Sequence, residues 1–210
     1  GAMIWLDVDC KIRQLTHDKA SLETFTHQFY GVDNGSYVTR TYTFNDVVAA
    51  LNKVAPYDWA KFLRTRLDQH KPPLAGIAAS GWKLTYSSKP NSFEKAMMAK
   101  YHMVSFALTL GLSLNGDGDI RDVLWNGPAF KAGIGSGEKL VAVNGKAYSS
   151  DVLQQAIVAA QKDKQPIQLM LKYQGQYRTV PVAYYGGPQY PHLTRVKGTP
   201  DYLDEILKAH

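Results

Sequence analysis

The chain has a single cysteine, Cys10, in 210 residues. One thiol can build no internal disulfide framework and no multi-cysteine zinc knuckle. No apolar run approaches the ~18 residues of a membrane span, and the longest apolar stretches are broken by Lys, Gln or Thr. No five basic residues stand together. None of the six histidines is followed by Glu, so His-Glu-x-x-His is absent. The Gly-x-Ser-x-Gly turn of a serine nucleophile is absent too.

What is present is an ordinary globular composition, 45% hydrophobic and 20% charged, of a length suited to one or two domains. The formal net charge is +6 and the pI about 9.2. The basic residues are scattered, with Asp117, Asp119, Asp122, Asp151 and Asp163 among them, so neither a nucleic acid nor a membrane is expected as a partner. The opening Gly1-Ala2-Met3 resembles the scar of a cleaved tag, and Ile4–Asp9 already reads as helix interior. The expectation is a piece of a longer protein, so the lack of a leader says nothing about compartment, with the cytoplasm favoured over the periplasm.

The first half has helical periodicity. Trp5, Leu6, Val8, Ile12 and Leu15 mark one stripe. Ser21 caps a second helix with Leu22, Phe25 and Phe29 on one face and Gly31 as its stop. Asp33-Asn34-Gly35-Ser36 is a turn signal. Thr43 and Asp46 form a capping box before Val47, Val48, Leu51 and Val54. Pro56 is expected to break that helix and open the next, which carries Trp59, Phe62, Leu63 and Leu67 and ends at Pro72-Pro73. Trp82–Tyr86 alternates as a short strand, and a short helix is expected over 93–100. The aromatics read as core, His17, His27 and His70 as solvated, and Cys10 as a packed small residue rather than a nucleophile.

From Met103 the period changes. Val104–Leu114 is an apolar stretch with small and polar interruptions. Asn115-Gly116-Asp117-Gly118 is a hairpin turn, preferred over a calcium loop because the terminal Glu is missing. Ile120, Val123 and Leu124 continue as a strand, and Pro128–Gly133 is a short helix. Lys139–Val143 is a strand ending at the turn Asn144-Gly145. A helix capped by Ser149 or Ser150 runs through Gln161. Pro166–Tyr173 and Tyr177–Ala183 form a hairpin.

Gly127-Pro128-Ala129, Lys131-Ala132-Gly133-Ile134, Gly137-Glu138 and Val143-Asn144-Gly145 resemble the core signature of bacterial PDZ domains, with Gly127 for the usual Ser and Glu138 for the usual Asp. More widely, Trp5–Asp9 with Ile12-Arg13, Ser21–Phe25, Ala50–Trp59, Gly81–Leu84, Tyr190–Leu193 and Gly198–Asp201 with Leu203-Asp204 resemble the C-terminal part of glycyl aminopeptidase-type zinc metallopeptidases. Those have a thermolysin-like catalytic domain, a packed helical domain and a PDZ domain. The resemblance implies an α+β chain, a helical region followed by a PDZ domain (a small, partly open β-barrel or sandwich with two helices). It divides the chain as 4–88 helical, 89–102 linker and short helix, 103–186 PDZ domain and 187–210 C-terminal tail.

The resemblance also implies that the zinc and the catalytic residues belong to an upstream catalytic domain, with no cofactor in this stretch. The expected role is that of a non-catalytic part whose PDZ domain binds or positions peptides or protein C-termini. Thr109-Leu110-Gly111-Leu112 takes the place of the family's Gly-Leu-Gly-Phe loop, whose backbone N–H groups converge on a terminal carboxylate. The expected peptide-binding residues are Leu110, Gly111, Leu112, Ser113 and Leu114, with Val152 and Ala156 on the long helix. Two alternatives stay open: a freestanding PDZ adaptor with no enzyme attached, and a groove that is closed or filled by the chain's own tail. The helical region before Met103 favours the peptidase over the adaptor.

Overall fold

The computed structural model describes residues 1–33, 35–68 and 74–208. In chain order the elements are α1 (Ala2–Thr16), α2 (Leu22–Tyr30), α3 (Phe44–Val54), α4 (Trp59–Leu67), α5 (Ala75–Ala79) and β1 (Trp82–Ser87). Then come α6 (Ser92–Tyr101), β2 (Met103–Phe106), β3 (Leu112–Asn115), β4 (Ile120–Val123) and α7 (Pro128–Lys131). The chain continues through β5 (Lys139–Val143), β6 (Lys146–Ala147), α8 (Ser150–Asp163), β7 (Ile167–Tyr173), β8 (Gln176–Val182), β9 (Tyr190–Arg195) and α9 (Tyr202–Leu207). The fold is α+β, as expected. Its sheets are open: β1-β9, β2-β3-β4 and β6-β5-β7-β8.

The chain divides into two compact units. One holds 1–84 and the chain from 193 onward, and the other holds 85–192. The division falls within β1 and again within β9, so it differs from the expected seam at 89–102. That segment carries α6, which belongs to the second unit. His70, Pro72-Pro73 and Asn34 of the sequence reading lie outside the described residues.

The first unit is built from the helical stripes. Val8, Ile12, Phe25, Leu51, Trp59, Phe62 and Leu63 form its core. Each large side chain buried there contributes about 1.5–3 kcal/mol. Thr43 and Asp46 cap α3 reciprocally: Thr43 N–H donates to Asp46 Oδ2 (2.8 Å) and Asp46 N–H to Thr43 Oγ1 (3.3 Å). Pro56 does not open α4. Asp58 does, accepting the Lys61 N–H at 3.0 Å, because a carboxylate two residues on satisfies a free helix donor that proline cannot. Buried Asp9 accepts from Leu22 N–H (3.0 Å) and Arg13 Nε (3.1 Å), while Arg13 also reaches Asp18 (2.6 Å), fixing α2 on α1. Residues 193–208 form no loose tail. Trp82 Nε1 donates to Asp201 Oδ1 (2.7 Å), Arg195 Nε to Asp201 Oδ2 (2.8 Å), and Val196 N–H to Gly81 O (2.9 Å).

The second unit is organised by two-residue periodicity. Leu112 and Leu114 of β3, Ile167, Leu169 and Leu171 of β7 and Val180 and Val182 of β8 send alternate side chains into one core, which Leu140 and Val143 join from β5 across a register shift between Leu140 and Ala142. Leu153, Ile157 and Ala160 of α8 close it. This is the module whose sequence resembles a PDZ domain. Glu138 is explained by its reach: Arg178 on β8 donates to Glu138 Oε1 (2.7 Å) and to Gly133 O (2.8 Å), a span the shorter Asp fits less well.

Cys10 is fully buried, and burial first, then Asp9 and Asp7, pushes its thiol up to about 12. We expect no reaction with a thiol reagent at pH 8 while the chain is folded, and one equivalent per chain in denaturant. Fast labelling of the native protein would contradict the packing described. Tyr148 Oη is buried without a hydrogen-bond partner among the described residues. Removing it relieves about 1 kcal/mol of desolvation. Tyr148→Phe is therefore expected to raise the melting temperature of the second unit by about 4 °C in calorimetry, and an unchanged or lower value refutes this.

Candidate peptide-binding site

β2 and β3 form an antiparallel hairpin in which Phe106 stands opposite Leu112, Ser105 opposite Ser113, and Val104 opposite Leu114. The turn between them, 107–111, is the loop singled out in the sequence. Its backbone does converge its donors. Thr109, Leu110 and Gly111 N–H point at one acceptor, at 3.0, 2.9 and 3.0 Å. That acceptor is the chain's own Phe106 carbonyl oxygen.

The loop is held from the other side as well. Leu110 O accepts from Ala129 N–H (2.9 Å) and Gly111 O from Leu124 N–H (2.8 Å). Thr109 is buried, and its Oγ1 accepts from Gln189 N–H at 3.3 Å. Gly111 takes the left-handed conformation (φ +75°), which favours glycine. A Cβ there would lie 3.2 Å from Gly127 Cα, and one on Gly127 would lie 3.0 Å from Leu124 O. The two glycines let the backbones of loop and α7 entry touch, which accounts for Gly127 standing where Ser is usual.

The side chains of the expected site are distributed differently from the expectation. Leu110 (0% exposed), Leu112 (1%) and Leu114 (0%) are in the core and wall no open pocket. Even-numbered residues of β3 face the same side as Val104 and Phe106, and that side is the interior. Ser113 faces the opposite side, beside Met103, Ser105 and the α6 residues Phe93, Met97 and Tyr101. Ala156 is also in the core, and Val152 is half-buried against it. With Ala159 these two residues line a cleft of about 170 Å³ against Val143, Asn144 and Lys146. None of Leu110–Leu114 lines that cleft, so the structure does not bring the two halves of the expected site together in one cavity. No edge of β3 is left for an added strand either, since β2 takes one and β4 the other.

Two residues the sequence reading passed over, Val104 and Phe106, do the filling. Val104–Leu114 reads as one apolar stretch because its turn, Ala107-Leu108-Thr109-Leu110, has no Pro, Asn or Asp to announce it. The only signal was the alternation of Val104 and Phe106 before Gly111. The sequence has no His-Glu-x-x-His, and no three His, Cys, Asp or Glu side chains come together among the described residues. No chemical step is assigned to zinc here.

No family model matches the chain, and no curated protein is significantly similar to it. Among solved structures, an aminopeptidase N family protein from Idiomarina loihiensis is similar over 99% of this chain, with a TM-score of 0.66 and 17% identity. The chain spans 35% of that protein's length. The likeness is one of fold, and it extends across both units. The PDZ domain of HtrA3 bound to a phage-derived ligand, FGRWV, overlaps 56% of this chain and 95% of that domain, at 17% identity and a TM-score of 0.28. Nothing is argued from the second.

Gly111→Ala is expected to destabilise the second unit by about 1–2 kcal/mol, combining a left-handed Cβ with the approach to Gly127. Chemical denaturation followed by circular dichroism measures it, and a cost below a few tenths of a kcal/mol would show that the loop geometry is not constrained in this way.

Proposed function

We propose that the chain is the non-catalytic C-terminal part of a zinc-dependent aminopeptidase, in which the PDZ-like module binds the free carboxylate end of peptides. The observation that carries this reading is the fold likeness over 99% of the chain to a protein of the aminopeptidase N family. The turn at 107–111 supplies the second support. Three N–H groups aimed at one oxygen form an anion-binding concavity, and a carboxylate bonds such donors more strongly than a neutral carbonyl does. The helical unit acts as the scaffold for an upstream catalytic domain, and the module presents or gates peptide ends. A freestanding adaptor needs no such helical unit. The specificity for glycyl or other substrates, and the zinc itself, belong to residues of the catalytic domain.

The test uses the whole 210-residue chain. A millimolar peptide ending in an apolar residue is titrated into isotope-labelled protein, beside its C-terminally amidated twin. The free acid is expected to move the amide signals of residues 109–112 and the amide to move them far less. Equal shifts, or shifts that avoid the loop, refute carboxylate capture. Hydrolysis of glycyl or alanyl substrates by this chain alone, with one tightly held zinc, would refute the non-catalytic assignment.

A further inference from the structure

The hairpin has a property that a simple turn does not require. β2 runs antiparallel to β3 and delivers its final carbonyl, Phe106 O, to the three donors of the loop. An added peptide strand bound by its C-terminus would run the same way along β3 and put its carboxylate on the same donors. Val104 and Phe106, two residues apart, drop their side chains into the core that α8 closes. Ser105 and Met103 point to the other side and stay half-buried.

We propose that β2 is an internal occupant of the peptide site, so that the module is closed by its own chain and opens only to ligands able to replace Met103–Phe106. The inference rests on the carboxylate-binding reading above and adds to it both a regulator and a ligand class. Displacing β2 removes two apolar side chains from the core and three hydrogen bonds from the loop. A ligand that restores both is an extended peptide with a free C-terminal carboxylate, an apolar last residue and an apolar residue two positions before it. The middle residue would stand where Ser105 stands, half-buried beside Phe93, Met97 and Tyr101 of α6, so a small side chain is expected there.

Closure by a tethered strand lowers apparent affinity in proportion to the open population. If about one molecule in a hundred is open, a peptide of intrinsic micromolar affinity is seen as about 100 micromolar. A short covalent link gives β2 a high effective concentration, which a competing peptide must match.

The ladder offers a way to hold β2 in place without touching the core. Gly116 N–H donates to His102 O (3.2 Å), which makes His102/Gly116, Val104/Leu114 and Phe106/Leu112 the hydrogen-bonded pairs. Ser105/Ser113 is then a close, non-bonded pair, with the roughly 4.5 Å Cα separation that a cross-strand disulfide accepts. The native Cys10 is buried and does not interfere.

The experiment measures binding of acetyl-Gly-Met-Val-Ser-Phe, as free acid, to the whole chain carrying Ser105→Cys and Ser113→Cys. The oxidised form is expected to bind at least tenfold more weakly than the reduced form, reversibly on adding reductant. Val104→Ser, which loosens β2 alone, is expected to bind at least fivefold more tightly than the unmodified chain. A peptide with Ser at the last and third-last positions is expected to bind neither form. Equal binding by oxidised and reduced protein overturns closure by β2 while leaving carboxylate capture standing. Equal binding of the two peptides overturns the ligand class. If the reduced protein and a folded Val104→Ser variant both ignore the free-acid peptide, carboxylate capture itself falls, and the internal occupant with it.

Discussion

Three amide N–H groups in the 107–111 turn must find an acceptor in a place that water does not reach, and a single carbonyl, that of Phe106, serves them all. Much of the second unit follows from that arrangement. The converging donors demand a left-handed residue at Gly111. The left-handed turn brings Gly111 against Gly127, where a Cβ on Gly127 would lie 3.0 Å from Leu124 O and one on Gly111 3.2 Å from Gly127 Cα. With the turn fixed, β2 is laid along β3 in a register that sends Val104 and Phe106 inward beside Leu112 and Leu114. An unsatisfied buried N–H costs about 1–3 kcal/mol, so three of them outweigh most single packing contacts.

The first unit uses a different economy. Its helices are set by apolar stripes, but their relative placement is fixed by a few buried polar groups. Asp9 joins α1 to the start of α2 through Leu22 and Arg13, and Asp201 joins the final segment to Trp82 through its indole N–H. A carboxylate that accepts a backbone N–H and a guanidinium at once specifies distance and direction, where a leucine stripe specifies only a face. The chain thereby leaves the first unit within β1, completes the PDZ-like module, and re-enters within β9.

Fold and chemistry separate cleanly in this chain. Likeness to an aminopeptidase N family protein extends over both units, yet the histidine and carboxylate spacing of a metal site is missing from the sequence. What the structure shows in the second unit is a turn whose three main-chain N–H groups converge on one carbonyl oxygen.

Helical stripes such as Leu51 with Trp59 and Phe62, the capping pair Thr43 and Asp46, the β7–β8 hairpin at Gln174-Gly175 and the PDZ-like order of strands were legible in the sequence. Each is set by local periodicity or by the conformational preference of one or two residues. The identity of the groups that meet was not legible. Nothing local says that Asp58 rather than Pro56 opens α4, since a cap depends on which helix donor is left free. Leu110, Leu112 and Leu114 could be assigned to a strand, but whether their shared face lines a groove or a core depends on what lies opposite. Tertiary structure decided that by placing β2 there. The sequence by itself determined the elements and the turn chemistry, because these are short-range. Only the folded chain decided which acceptor the loop donors find, because that depends on which carbonyl the packed hairpin brings within reach.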